Sequence, residues 1–250
     1  MSIVNLKGVG YQTLNNLSGF LKNKTNDPVG VYVLAPYFMP YYVGMSTSKL
    51  GIFKEINSHI RKFKDPNQCK YVIFNQSFYF DSEYGRNQIL PRSNNPTKPS
   101  IFLSNAKGNV IFWRENVGFM NPNDLINPLD RTLPLSNLKD SLKHEVLDVV
   151  NEVFSMKNFR FFYFELMEND LKNDSLFLES LETVVKFSLR LNTVSNSRTL
   201  NTASTRFKKY GVSKINIYCP NQTIKDLFYP FPHDGNHNPV ANLQGIVNII

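Results

Sequence analysis

The order of apolar and polar residues along this chain predicts both strands and helices. Runs rich in β-branched and aromatic residues predict strands at 29–35, 41–44, 71–74, 159–166 and 212–218. The first two runs flank a turn that carries two prolines, so they are expected to form a hairpin.

Apolar residues at helical spacing predict helices over 8–21, 49–63, 138–156 and 176–189. Asp174 or Ser175 is placed to cap the last of these helices. Residues 192–205 are rich in Ser, Thr, Asn and Arg and are expected to be irregular. The mixture of separate strands and helices indicates an α+β fold.

Composition and charge indicate a folded protein with a polyanionic partner. Hydrophobic residues make up 42% of the chain and aromatic residues 13%, which is too many for a disordered chain. The formal net charge of +8 favours nucleic acid, through contacts of Lys and Arg with phosphates. No apolar run has the length of a membrane span and the N-terminus lacks a signal-peptide pattern, so we expect no membrane partner and a cytoplasmic location. Cys69 and Cys219 are expected to be free thiols.

Two tyrosine triplets in the predicted hairpin are the most informative feature of the sequence. The first strand begins Gly30-Val31-Tyr32 and the second ends Tyr42-Val43-Gly44. In an antiparallel pair, tyrosines so placed lie on one face with their hydroxyls close together. The triplets, the helix with a histidine that follows them, and a later strand and glutamate-bearing helix resemble the GIY-YIG nuclease family, with valine in place of both isoleucines.

This resemblance implies a division of the chain. The family core is a small three-stranded antiparallel sheet flanked by helices, which would take residues 28–64 and 158–193. Residues 65–157 would then be a large insertion containing a β-hairpin (100–103 and 110–113) and a helix, and residues 194–250 a C-terminal extension. The whole would be a single nuclease domain.

The resemblance also implies roles for the core residues. Tyr32 would activate or orient the attacking water, Tyr42 would bind phosphate or support Tyr32, and Gly44 would close the second triplet. A glutamate would hold one Mg²⁺ (or Mn²⁺), and Asn192 would tie a loop to the active-site backbone.

The helix over 176–189 offers two glutamates for the metal. Glu182 lies on an apolar stripe with Leu178, Val185 and Leu189, whereas Glu179 lies among polar neighbours. A carboxylate on a half-buried stripe needs a function or a partner, which favours Glu182 and leaves Glu179 as the alternate.

The helix after the hairpin departs from the family pattern. His59 matches the family's phosphate-directed position, but Glu55 stands one turn earlier, where the family has an arginine. Three interpretations remain open. Lys54 or Arg61 supplies the cation, the alignment is displaced by a short insertion, or the protein has lost catalytic activity.

The function implied first is that of a bacterial type II restriction endonuclease. The enzyme would cut double-stranded DNA at a specific sequence with Mg²⁺, and a palindromic site would call for a homodimer. The inserted region suits base reading in the major groove. The candidate DNA-binding residues are Lys49, Lys62, Arg86, Arg92, Lys107, Arg114, Arg198 and Arg206.

Three alternatives stay open. The chain is a phage, homing or structure-specific repair nuclease of the same family; it is a catalytically degenerate DNA-binding protein of that fold; or the triplets are a coincidence in an unrelated basic protein. Cleavage of branched DNA, or binding without cleavage, would separate the first two.

Overall fold

The computed structural model of the chain describes residues 2–23, 27–38, 40, 42–47, 49–64, 70–74, 100–104, 110–113, 133–134, 147–148, 151–189, 197–228, 243 and 245–250. The chain divides into two compact units. The first comprises residues 1–57 and 159–250, and the second comprises residues 58–158.

The first unit is built on a six-stranded mixed sheet. Its strands, in chain order, are β1 (Ser2–Gln12), β2 (Gly30–Leu34), β3 (Tyr42–Ser46), β8 (Phe161–Leu166), β9 (Val212–Tyr218) and β10 (Val247–Ile249). Their order across the sheet is β10-β9-β1-β8-β2-β3. The pairs β3–β2, β2–β8 and β8–β1 are antiparallel, whereas β1–β9 and β9–β10 are parallel.

The expectation of a three-stranded sheet is therefore wrong. The predicted hairpin and the predicted strand over 159–166 do lie side by side as β3-β2-β8, but β1, β9 and β10 extend the sheet beyond them. The predicted strand over 212–218 is confirmed as β9. Part of the expected C-terminal extension thus belongs to the central sheet, where side-chain amides link Asn248 to Asn216 and Asn216 to Asn5.

Helices cover the two faces of the sheet. The first unit contains α1 (Leu14–Lys22), the start of α2 (Ile52–Lys64), α3 (Ser175–Ser188), α4 (Ser197–Lys209) and α5 (Gln222–Lys225). α2 continues into the second unit. Short 3₁₀ turns lie at Pro36–Phe38 and Asn169–Leu171. α3 packs against β2 and β3, and α4 packs against α3 and β9.

The strand β8 shows why both faces are covered. Phe162 and Phe164 belong to the main hydrophobic core, which they share with α3 and α4. Phe161 and Tyr163 alternate with them and contact the ring of Phe53, on α2, from the opposite face. A strand buried on both faces reads as a continuous apolar run, as this one does.

Two predicted segments are corrected by the structure. The helix predicted from residue 8 begins only at Leu14, after a Thr13 cap, because residues 8–12 belong to β1 and pair with β8. The irregular stretch predicted over 192–205 contains the start of α4 at Ser197. That helix buries Ala203 and Phe207 while its remaining described side chains are largely polar, so its sequence resembles a loop.

The second unit contains a four-stranded antiparallel sheet. Its strands are β4 (Lys70–Phe74), β5 (Ser100–Ser104), β6 (Val110–Trp113) and β7 (Leu133–Pro134), in the order β6-β5-β4-β7. The pairing of β5 with β6 confirms the predicted strand pair. Among the residues described in either unit, no helix has the length and apolarity to cross a membrane.

Candidate active site

Tyr32 lies at the centre of the candidate site. On β2 it is directly opposite Gly44 of β3 on one side and Tyr163 of β8 on the other. Directly opposed residues in a sheet share a face, so these three positions form a row across the sheet. Tyr32 is only 1% exposed, and its ring lies so close to Gly44 that a Cβ there would be 2.4 Å from its Cζ and Oη.

Tyr42 joins Tyr32 on the same face. The two rings have centroids 6.2 Å apart, and the two hydroxyls share a hydrogen bond. Tyr42 is half-buried, so it is the more accessible member of the pair. The structure therefore brings the two motif tyrosines together as the hairpin register predicts.

Two glutamates from different helices act on this pair. Glu182, on α3, and Glu55, on α2, each lie close enough to interact electrostatically with both tyrosine hydroxyls. Glu182 also pairs with Lys186, one helical turn along α3, at 2.5 Å, and its side chain is 17% exposed. The site therefore combines two phenols and two carboxylates carried by two helices and a hairpin.

The surroundings keep both tyrosines neutral. Burial raises the pKa of Tyr32 well above its ordinary value, and the Tyr42 hydroxyl and the carboxylates of Glu55 and Glu182 raise it further. Burial is also the main cause of the raised pKa of Tyr42, followed by the carboxylate of Glu182. In this environment the tyrosines are hydrogen-bonding groups rather than bases.

Glu179, the alternate metal ligand, has a different neighbourhood. It is 48% exposed and forms an ion pair with Arg206 of α4 at 3.1 Å, and Arg206 also donates to the carbonyl of Leu176. Glu179, Glu182 and Arg206 line a cleft of about 380 Å³ between α3 and α4. Of the two glutamates on α3, it is Glu182 whose charge affects the pKa values of the tyrosine pair.

A distant aspartate fixes the beginning of α2, and with it Glu55. The Asp27 carboxylate accepts hydrogen bonds from the backbone N–H of Phe53 at 2.7 Å and of Lys54 at 3.2 Å. Gly51 permits this approach, because it has φ of 75° and a Cβ there would lie 2.1 Å from the Asp27 Cγ. Asp27 lies far from these residues in sequence, so periodicity gives no sign of the contact. Only its position just before Pro28, at a break between predicted elements, marks it as a turn residue.

The other predicted residues are dispersed or lie outside the description. Lys49, Lys54 and Arg61 are exposed, and His59 is half-buried on the part of α2 that belongs to the second unit. Arg206 is engaged with Glu179. The remaining candidates lie outside the described residues or have no described side chain: Lys62, Arg86, Arg92, Lys107, Arg114, Asn192 and Arg198.

Glu182 and Glu55 carry carboxylate oxygens, the donor type that a hard divalent cation prefers, and one oxygen of Glu182 is already paired with Lys186. Mg²⁺ is commonly held by one or two carboxylates, with water and substrate phosphate completing its coordination. A cage of three or more His, Cys, Asp or Glu side chains is not found within the described ranges, so any ion here would depend on water or substrate for most of its ligands.

Comparisons with family models, with curated proteins and with solved structures each gave no match. The functional assignment therefore depends on the residues and geometry described above.

Proposed function

We propose that this chain is a divalent-metal-dependent endonuclease that cuts double-stranded DNA at specific sequences, as a type II restriction enzyme with a GIY-YIG-like core. The observation that carries the proposal is the hydrogen-bonded pair of Tyr32 and Tyr42 beside the carboxylate of Glu182. These are the residues that the motif resemblance selects, and they come from separate segments of the chain.

The burial of each tyrosine suggests how the pair divides its work. Tyr42 is half-buried, so we assign it the contact with the scissile phosphate or the attacking water. Tyr32 is almost fully buried and orients Tyr42 through the shared hydrogen bond. Because both phenols are neutral, they donate hydrogen bonds to developing negative charge rather than removing a proton.

Glu182, with Glu55 nearby, would hold the cation. When bound, a divalent ion activates water and stabilises negative charge on the phosphate. The exposed Lys54 and Arg61 on α2, together with the net charge of +8, favour attraction of the DNA backbone.

A specificity role for the second unit is part of the proposal. Residues 58–158 form a compact unit with its own sheet, much larger than a connecting loop. A separate unit that begins within α2 and ends before β8 suits recognition of bases in the major groove. Recognition of a palindrome by such an enzyme would require a homodimer.

The proposal is tested by incubating the purified protein with long unmethylated double-stranded DNA in Mg²⁺, beside a sample containing a chelator. We expect discrete fragments in Mg²⁺ and intact DNA with the chelator. Absence of cleavage across unmethylated DNAs of varied sequence, in Mg²⁺ and in Mn²⁺, would contradict the proposal.

One observation favours a second candidate, a DNA-binding protein that has lost catalysis. Glu55 places negative charge beside the tyrosine pair, at the position where the resemblance predicts a cation. In that case the protein binds DNA in a salt-sensitive manner without cutting it, and Glu55→Arg restores cleavage. Cleavage by the unaltered chain rejects this candidate.

A further inference from the structure

The turn between β2 and β3 holds an exposed aromatic ring in a strained backbone conformation. Phe38 has φ of 66° and is the one non-glycine residue with positive φ among those described. This conformation is unfavourable for a bulky L-residue, because its Cβ is crowded against the backbone. Burial does not offset this cost, because Phe38 is 52% exposed.

Several contacts keep Phe38 in this position. The Tyr11 hydroxyl donates to the carbonyl of Phe38 at 2.8 Å, and the Phe38 N–H donates to the carbonyl of Ala35 at 3.0 Å. The Tyr11 ring meets Phe38 edge to face at 5.1 Å and meets the buried Phe162 in the same way at 5.4 Å. The exposed ring is therefore anchored to the core through Tyr11.

A guanidinium group lies against the same ring. The Arg160 Cζ is 5.1 Å from the centroid of Phe38, within cation–π range. Arg160 is held in turn, since its Nη1 donates to the carbonyl of Phe159 at 2.8 Å and its own carbonyl accepts from the Ala35 N–H at 2.8 Å. The turn thus presents an aromatic surface and a delocalised positive charge side by side.

We propose that Phe38 is a stacking surface for a nucleobase that is unstacked from the duplex of the DNA substrate, and that Arg160 contacts a phosphate of the same strand. A fixed aromatic ring beside a cation matches the two chemical features of a nucleotide, a flat base and an anionic phosphate. The inference rests on the proposed function, because it takes DNA as the substrate; the turn that carries Phe38 joins the strand of Tyr32 to the strand of Tyr42.

The test measures binding separately from cleavage. A labelled duplex is titrated with protein in Ca²⁺, and a second series of duplexes carries 2-aminopurine at successive positions to report changes in base stacking. The variants are Phe38→Ala, Phe38→Tyr, Phe38→Gly and Arg160→Gln. Met167→Ala is the matched control, since Met167 is a comparably exposed apolar residue (49%) elsewhere in the first unit.

We expect Phe38→Ala to weaken binding by about ten-fold or more, the usual cost of losing one base–aromatic contact. It should also abolish the fluorescence change at one 2-aminopurine position, while Phe38→Tyr and Met167→Ala behave like the unaltered protein. Phe38→Gly also removes the ring but relieves the backbone strain. This variant should therefore bind DNA as weakly as Phe38→Ala and have a melting temperature at least as high. Arg160→Gln should reduce the slope of log affinity against log salt by about 0.9.

The outcomes separate this inference from the proposed function. Cleavage by the unaltered protein together with equal binding and fluorescence for Phe38→Ala overturns the stacking role alone. Phe38-dependent binding and fluorescence without any cleavage supports the stacking role and contradicts the nuclease. The inference is overturned if the unaltered protein binds none of the duplexes. It is also overturned if Phe38 is found to bind another protein instead of DNA.

Discussion

Gly44 and Tyr32 lie directly opposite each other on neighbouring strands, and the phenol ring occupies the space where a side chain of residue 44 would be. This relationship explains why the second tyrosine triplet ends in glycine. A side chain at 44 would force the Tyr32 ring to move.

Gly44→Ala should therefore damage both stability and the site. The added Cβ would lie 2.4 Å from the Cζ and the hydroxyl oxygen of Tyr32, and overpacking of this kind costs about 1–3 kcal/mol. Urea denaturation measures the cost and DNA cleavage measures the loss of activity. Gly19→Ala is the control, because the position in α1 is open and alanine should stabilise the helix by about 0.5–1 kcal/mol. A Gly44→Ala protein as stable and active as the parent would contradict the packing described.

Tyr42→Phe should reduce the cleavage rate more than Tyr32→Phe does. Tyr42 is the accessible member of the pair, and loss of one positioned hydrogen-bond donor to developing negative charge costs about 100-fold or more. Both substitutions remove the hydrogen bond that the two hydroxyls share and should each cost about 1 kcal/mol of stability, so stability alone does not rank them. Single-turnover cleavage and urea denaturation separate the two effects, with the exposed Tyr218→Phe as control. The reverse ranking of cleavage rates would exchange the roles assigned to the two tyrosines.

The stability of the protein should fall at alkaline pH. Burial raises the pKa of Tyr11 to about 12, and the pKa values of Tyr32 and Tyr42 are also raised. A group whose pKa is higher in the folded state stabilises that state below its unfolded pKa, roughly pH 10 for tyrosine, and this contribution is lost as pH rises through the folded value.

Glu182→Gln should lower the pKa of Tyr42 by removing a nearby negative charge. Tyrosinate absorbance during alkaline titration measures this change in pKa. An unchanged titration curve would show that Glu182 does not interact electrostatically with the tyrosine pair.

A hydrogen bond at the start of α3 should control acid stability. The carboxylate of Asp174 caps the helix by accepting from the Phe177 N–H, and the Tyr210 hydroxyl also donates to it. The Tyr210 bond is the main reason that the pKa of Asp174 is lowered, so the cap stabilises the fold above the ordinary carboxyl pKa and is lost as pH falls through the folded value.

Asp174→Ala should cost about 0.5–2 kcal/mol at neutral pH, as for other helix caps. Tyr210→Phe should also destabilise the protein at neutral pH, while weakening the dependence of unfolding free energy on pH in the acid range. Urea denaturation at neutral and acid pH measures both effects. An unchanged acid profile for Tyr210→Phe would show that the bond does not govern the cap.

The sequence predicts the local elements of the core better than their assembly. The tyrosine hairpin, the apolar run of β8 and the capped helix α3 each have a strong local pattern, and the structure contains all three. The strand β1 was predicted in part as helix, because Gly8 and Gly10 interrupt its alternation and its pairing with both β8 and β9 decides its conformation. Tertiary pairing of this kind overrides local propensity.

Local sequence patterns identify the motif residues of the candidate site, but not the residues that tertiary structure brings to it. The resemblance makes Glu55 a misfit in a phosphate-binding helix, yet its carboxylate interacts with both tyrosines. Asp27 caps α2 across a long stretch of chain, and the exposed ring of Phe38 is held by Tyr11 and Arg160 from two other segments. Contacts between distant segments leave no periodic signal in the sequence.

The most direct measurement is cleavage of unmethylated double-stranded DNA in Mg²⁺ by the unaltered protein, by Glu182→Ala and by Glu179→Ala. The two glutamates lie on the same helix and line the same cleft, but Glu182 is the one that acts on the tyrosine pair. We expect discrete fragments from the unaltered protein and from Glu179→Ala, and none from Glu182→Ala. Equal cleavage by Glu182→Ala and the unaltered protein would contradict the assignment of the metal to Glu182 and, with it, the proposed active site.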